Sequence, residues 1–266
     1  MYLSYLATYP IKSCYRTETE RAEVEPWGLA GDRRWIVVDE QSKLITQRDC
    51  PPMGRIRPRY TESGLVLEAA GMNPLDVPFP TGGLADIRHF HRWIAATFAG
   101  DVVAQWISRV IERPARLFYL DDPTRRPVEP DFAKPDDRVS FADGFPLLLT
   151  NEGSLRAVND WLVEDGDEPI AMTRFRPNVV VAGAPAWAED DWIGRRIAIG
   201  DVTFRAPKPC DRCVLTTIDP ETGEKGRQPL RVLGKHRRFP EGLLFGINLI
   251  PDVRGEIAIG DEITIL

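Results

Sequence analysis

Residues 197–204, Ile197-Ala198-Ile199-Gly200-Asp201-Val202-Thr203-Phe204, place an apolar side chain at every second position on each side of a Gly-Asp pair. That is the signature of two half-buried strands joined by a tight turn. Residues 257–265, Ile257-Ala258-Ile259-Gly260-Asp261-Glu262-Ile263-Thr264-Ile265, have the same form. Two such units in one half of the chain predict an antiparallel β-barrel there. Further out, 23 prolines and 21 glycines cut the apolar runs short, which favours strands over long helices. Strands are expected at 1–8, 21–25, 33–39, 44–47 (after a loop from Glu40 to Lys43), 64–69, 116–120 and 179–181. Two segments carry helical spacing. Asp101 is read as the cap of one, with Val102, Val103, Trp106, Ile107, Val110 and Ile111 on its apolar face. The other runs from Asn151 to Leu162. The proline-rich stretch 121–138 reads as a linker or surface loop. The expected class is α+β and strand-rich: an N-terminal α/β portion over 1–122, and an antiparallel barrel over 123–266.

A chain of 266 residues, 43% hydrophobic and 28% charged, has ample material for a core. Its net charge of −6 argues against a nucleic-acid partner, whose footprint is a basic stripe. No apolar run is long enough to span a membrane. The N-terminus Met1-Tyr2-Leu3-Ser4-Tyr5-Leu6 shows no signal-peptide pattern. Four cysteines do not make a disulfide scaffold. These features together lead to the expectation of a cytoplasmic protein.

Chemistry concentrates in Pro207-Lys208-Pro209-Cys210-Asp211-Arg212-Cys213-Val214-Leu215-Thr216-Thr217-Ile218-Asp219-Pro220-Glu221-Thr222-Gly223. A Cys-x-x-Cys pair is half a zinc site, a thiol–disulfide couple, a single metal thiolate, or two structural cysteines. Structural zinc needs four ligands, but Cys14, Cys50, His89, His91 and His236 show no matching spacing. A thioredoxin-like couple is expected in a strand–helix context, whereas this pair leads into β-branched Val214 to Ile218. Lys208 and Arg212 favour a thiolate. Basic residues also recur at expected strand ends, in Tyr9-Pro10-Ile11-Lys12-Ser13-Cys14, Gly31-Asp32-Arg33-Arg34-Trp35 and Phe175-Arg176-Pro177-Asn178. Each alone is an ordinary surface charge; gathered at one mouth they would make an anion site. His89 and His91 are expected to be structural or surface residues. Lys235-His236-Arg237-Arg238 is expected to be a solvated helix end, with docking of an acidic electron donor as its alternative.

Over nearly its whole length the sequence resembles the MOSC superfamily. The likeness is to the molybdenum-cofactor group that includes the mitochondrial amidoxime-reducing component and its bacterial relatives. The Tyr-Pro-Ile-Lys-Ser and Gly-Asp-Arg-Arg-Trp segments resemble the family's N-terminal β-barrel-type domain; the run from Phe175 to Gly223 resembles the MOSC domain itself. The resemblance implies a molybdenum cofactor (Mo-molybdopterin) with Cys213 as the protein ligand to the metal. It implies that Lys12, Ser13 and Arg33 hold the phosphate end or edge of the pterin, and that Arg176 and Asn178 hydrogen-bond to it. Asp143, Gly144 and Phe145 match a loop along the cofactor. Arg212 and Asp211 adjoin the metal ligand, with Asp211 a candidate acid. Gly144 and Phe145 depart from the hydroxyl residues of the mitochondrial relatives, and Asp211 from a small hydroxyl residue. The implied reaction is reduction of a small N-oxygenated substrate. No cysteine follows Cys213 to ligate a cluster, so electrons are expected from a separate iron–sulfur or haem protein and its reductase. The alternative is a non-catalytic cofactor or persulfide carrier.

Overall fold

In the computed structural model, which describes residues 1–266, Arg196–Ile199 and Val202–Asp211 form the expected hairpin, with Ile197 opposite Phe204 and Ile199 opposite Val202. These four side chains are buried, so the alternation that marks the strands also fixes their register. The second Gly-Asp unit behaves differently. Gly255–Ala258 pairs with Arg21–Glu25, while Ile263–Ile265 pairs with Arg196–Ile199. Its two arms therefore diverge onto different sheets, and the expected second hairpin is not formed. Local turn chemistry permitted a hairpin; separate partner strands offered each arm a better apolar face.

Strand makes up 38% of the chain and helix 21%. The largest sheet has nine strands. Its neighbours are antiparallel except Leu147–Asn151 and Val179–Ala182, which run parallel. The sheet curls until Tyr2–Thr8, near one end, meets the segment that enters Ile263–Ile265 at the other. Leu3 N donates to Asp261 O at 2.9 Å, Gly260 N to Leu3 O at 2.8 Å and Ile263 N to Met1 O at 2.9 Å. Tyr2–Thr8 also pairs with Val179–Ala182. Residues from both sides of position 122 thus share one sheet and one core, in which Leu3, Leu6 and Val24 pack with Leu149, Phe204 and Leu249.

A second core lies around the helix Asp101–Ile111, where Val103, Trp106, Ile107, Val110 and Ile111 face Trp35, Val37 and Leu117. Asp101 is the first helical residue and not its cap; that position is Gly100, whose φ of 100° suits only glycine. The helix Glu152–Glu164 forms where the second helical segment was expected and is capped by Asn151, whose Oδ1 accepts from Gly153 N at 2.8 Å. Residues 44–47 make only an isolated bridge to Val38, not a strand. Val214–Thr217 is a 3₁₀ turn, and not the extended continuation that its β-branched residues favoured. No helix is long and apolar enough to cross a membrane.

Candidate active-site cleft

Tyr9 immediately follows the strand Tyr2–Thr8, and its buried ring carries two guanidiniums. Arg33 lies 4.4 Å and Arg176 4.1 Å from the ring centroid. Asp32 fixes this arrangement from behind. Its Oδ1 accepts from Tyr9 N at 2.8 Å and its Oδ2 from Arg33 Nη1 at 2.6 Å. Asn178, wholly buried, accepts from Arg33 Nη1 at 3.1 Å and from Leu148 N, and donates to Ala7 O. It ties the N-terminal strand, the Arg33 turn and the parallel strand pair into one floor. Ser13, Arg33 and Arg176 have φ of 67°, 48° and 55°. Each left-handed non-glycine residue costs about 1–3 kcal/mol, and such strain clusters at functional sites. All three residues line one cleft.

Lys12 enters the cleft beside them, its ammonium donating to Phe141 O at 2.8 Å and to Asp143 Oδ1 at 2.5 Å. Burial lowers its pKa to about 8, opposed by the Asp143 carboxylate. Asp143 stands at the cleft edge with its side chain largely exposed, and the charge and hydrogen bond of Lys12 hold it below the usual carboxylate range. The Asp143 loop is clamped by Arg126, which donates to the carbonyls of Ser140, Ala142 (2.6 Å) and Asp143 (2.7 Å). Arg126 comes from the proline-rich stretch that was expected to be a linker or surface loop, yet it is buried.

The strand Val202–Asp211 delivers the cysteine pair to the same cleft. Cys213 is exposed, and Cys210 is partly covered. Burial raises the Cys210 thiol pKa, with Arg212 opposing it. Arg212 donates from Nη1 to Cys210 Sγ at 2.9 Å and from Nη2 to Phe175 O at 2.5 Å. Its hydrogen bonds thus position the strand end, leaving Cys213 free. The cleft brings together Lys12, Ser13, Arg33, Asp143, Gly144, Phe145, Arg176, Asn178, Asp211, Arg212 and Cys213, the residues that the resemblance implies for the cofactor and the metal; Lys208 does not line it.

Sequence comparison agrees with this geometry. The MOSC N-terminal beta barrel domain matches residues 1–114, and the MOSC domain matches residues 136–264. The chain belongs to the MOSC family. Mitochondrial amidoxime-reducing component 1 of Homo sapiens is 31% identical over 285 residues, spanning 99% of this chain and 82% of the relative. Mitochondrial amidoxime reducing component 2 of Rattus norvegicus is 32% identical over 96% of this chain and 80% of its own. The Bos taurus component 2 is 30% identical over 98% and 82%.

The MOSC cleft is also built from residues that the sequence did not mark: Tyr9, buried beneath its arginines, and Arg48 and Arg174 in its lining. Tyr9 gave no sign of its role, because a buried tyrosine after a strand is ordinary core. A basic residue next to an apolar run was the available signal for Arg48. His89 is buried, as a structural histidine would be, and His91 is exposed.

The donor set suits a molybdopterin. Arg176 donates to Cys14 O at 2.9 Å and makes no carboxylate ion pair. Buried Nη1 of Arg174 and Nε of Arg212 have no partner. Buried guanidinium donors left without acceptors are costly unless a ligand supplies them. A phosphate-bearing, acceptor-rich pterin would do so, and an exposed thiolate is the soft type of ligand that molybdenum already bound by sulfur prefers.

Proposed function

We propose that this MOSC protein is a molybdenum-cofactor oxidoreductase that reduces N-hydroxylated or other N-oxygenated small molecules, using electrons from a separate redox protein. One observation carries the reading. An exposed Cys213 stands at a cleft floored by Lys12, Arg33 and Arg176, in a chain 31% identical to a protein named for amidoxime reduction.

The reaction is R–NHOH + 2e⁻ + 2H⁺ → R–NH₂ + H₂O: the N–O bond breaks and its oxygen leaves as water. When bound, the molybdenum cofactor supplies the two-electron oxygen-atom chemistry. The chain's own residues do the rest. Lys12, Ser13 and Arg33 hold the phosphate end, and Arg176 the pterin; Asn178, implied by the resemblance to bond the pterin as well, is buried with its side chain spent on Arg33, Leu148 and Ala7, and instead keeps Arg33 in place. Cys213 is the thiolate ligand. Arg212 sets the strand end that presents it. Asp211, exposed and with a carboxylate that makes no hydrogen bond, stands two residues from that ligand and is assigned to proton delivery.

Metal and pterin analysis of protein from a cofactor-competent host tests the reading, together with amidoxime turnover driven by reduced viologen. Near-stoichiometric molybdenum with turnover is expected. Protein lacking both, with a persulfide recoverable on Cys213, would instead be a carrier.

A further inference from the structure

Asp143, Gly144, Phe145, Cys210, Asp211 and Cys213 have cavities on both sides. The second cavity shares Arg48 and that wall with the first, but adds residues that the first lacks: His89, Arg92, Arg126, Glu129 and Lys208. Its charge is unbalanced. Arg48, Arg92 and Lys208 make no ion pair. Arg126, 5% exposed, donates only to backbone carbonyls, and its Nε has no partner. Against these four cations stand Glu129 and Asp211, because Asp143 already pairs with Lys12. His89 is 2% exposed and its Nε2 is also without a partner. Burial, and then the charges of Lys12 and Arg126, depress its pKa, so it adds a neutral polar atom and not a further charge. Phe90, between the two histidines, has φ of 55°. Its ring lies 5.3 Å from the Lys12 ammonium and 5.6 Å from the Arg48 guanidinium, a flat apolar surface between the two arms.

We propose that this second arm is the substrate arm, and that it selects N-hydroxylated compounds carrying a carboxylate or phosphate on the same molecule. The inference rests on the reductase reading for the N–O bond but not for the anion. Arg92, Arg126 and Lys208 do not line the arm that holds Lys12, Arg33 and Arg176, so the phosphate end of a pterin has its own donors. An arm open to the Cys213 wall, rich in unpaired cations and faced by an aromatic ring, suits a planar molecule with a negative end. Arg126 builds the loop and Arg48 is shared with the first arm; Arg92 and Lys208 are the cations that this arm alone offers a ligand.

The test compares Arg92→Ala and Lys208→Ala with the parent, all cofactor-loaded, on 4-carboxybenzamidoxime and benzamidoxime with reduced viologen. The ratio of kcat/KM, charged over neutral substrate, should fall about tenfold per variant, the loss expected for one charge-assisted contact, mostly through KM. Lys208→Glu should lower the ratio further. Calorimetry with 4-carboxybenzamidine against benzamidine reads the same preference without turnover. If no amidoxime is reduced but the parent still prefers the carboxylated amidine and the variants do not, the reductase reading fails and the anion arm stands. A ratio and a binding preference unchanged in both variants would overturn the proposal. So would a loss that appears only when a protein donor replaces viologen, which would make the arm a docking surface.

Discussion

The ammonium of Lys12 and the carboxylate of Asp143, 131 residues apart in sequence, meet with 2.5 Å between Nζ and Oδ1. The pair bridges the segment matched by the N-terminal MOSC domain and the segment matched by the MOSC domain itself. It leaves a buried ammonium at the edge of a cleft, with its pKa lowered by burial despite the carboxylate beside it.

That ammonium makes the stability of the cofactor-free protein depend on alkaline pH. Between about 8 and the ordinary lysine value of 10.5 the unfolded chain holds a proton that the folded chain has released. Stability therefore rises with pH across this window, by up to about 1.4 kcal/mol per pH unit from this group. Asp143, held below its usual range, stays ionised throughout the window; its contribution is lost only in acid. Urea midpoints of the parent and Lys12→Met at pH 7.5, 9 and 10 measure the effect. The parent should show a positive increment that the variant lacks. Equal curves for the two proteins would remove Lys12 as its source.

Cys213→Ser should abolish molybdenum retention and turnover, whereas Cys210→Ser should keep much of both. A hydroxyl is a harder and weaker donor than a thiolate for this metal. Cys213 is the exposed thiol, while Cys210 receives the Arg212 hydrogen bond and serves the surrounding structure. Metal content by mass spectrometry decides it. Equal loss from the two substitutions would point to a dithiol site.

Arg176→Ala should weaken cofactor retention roughly ten- to a hundredfold, the range for one charged donor to an anion. The cofactor-free variant should remain folded, because the Arg176 side chain makes only one hydrogen bond within the protein, to Cys14 O, and the backbone bond to Thr173 O survives the substitution. Tyr9→Leu should do more harm. It removes the ring beneath both guanidiniums and the hydroxyl that donates to Pro177 O at 3.1 Å, so both retention and thermal stability should fall. Pterin fluorescence released on dialysis and thermal melts separate the two effects. Full retention in Arg176→Ala would relocate the anion site.

The cleft was more legible in the sequence than the topology around it. Lys12 and Cys213 come shortly after strands, and Arg33 and Arg176 shortly before them, where side chains collect at one edge of a sheet, so short motifs sufficed to name them. Tyr9 and Arg126 were not legible, because their roles are burial against distant partners: Asp32 and Pro177 for one, the Ser140 to Asp143 carbonyls for the other. The two Gly-Asp units show the limit for fold. Their alternation is alike, yet only the first closes on itself, since pairing is decided by which strand arrives alongside. Asp101 failed as a cap for a similar reason: Gly100 could adopt a backbone conformation closed to aspartate.

The last prediction concerns the electron source and the basic stretch at the end of the short helix Leu230–His236. Docking there was the alternative reading of Lys235 to Arg238, but most of this charge is already engaged. Lys235 pairs with Asp165, Arg237 is buried against Asp190 at 2.7 Å, and His236 stacks on Trp161 with centroids 4.2 Å apart. Only Arg238 is exposed and makes no ion pair. Arg238→Ala should therefore change turnover with an added iron–sulfur or haem donor by less than about twofold, because one exposed charge steers weakly and is screened within about 10 Å at 0.1 M salt. Purified protein should not reduce an amidoxime with a nicotinamide alone, since no Gly-x-Gly-x-x-Gly fingerprint opens a helix in these residues. Reduced viologen should support turnover directly. Stopped-flow rates with each donor across a salt series make the comparison. A large loss in Arg238→Ala confined to the protein donor would restore the docking site, and turnover with a nicotinamide alone would place the electron entry within this chain.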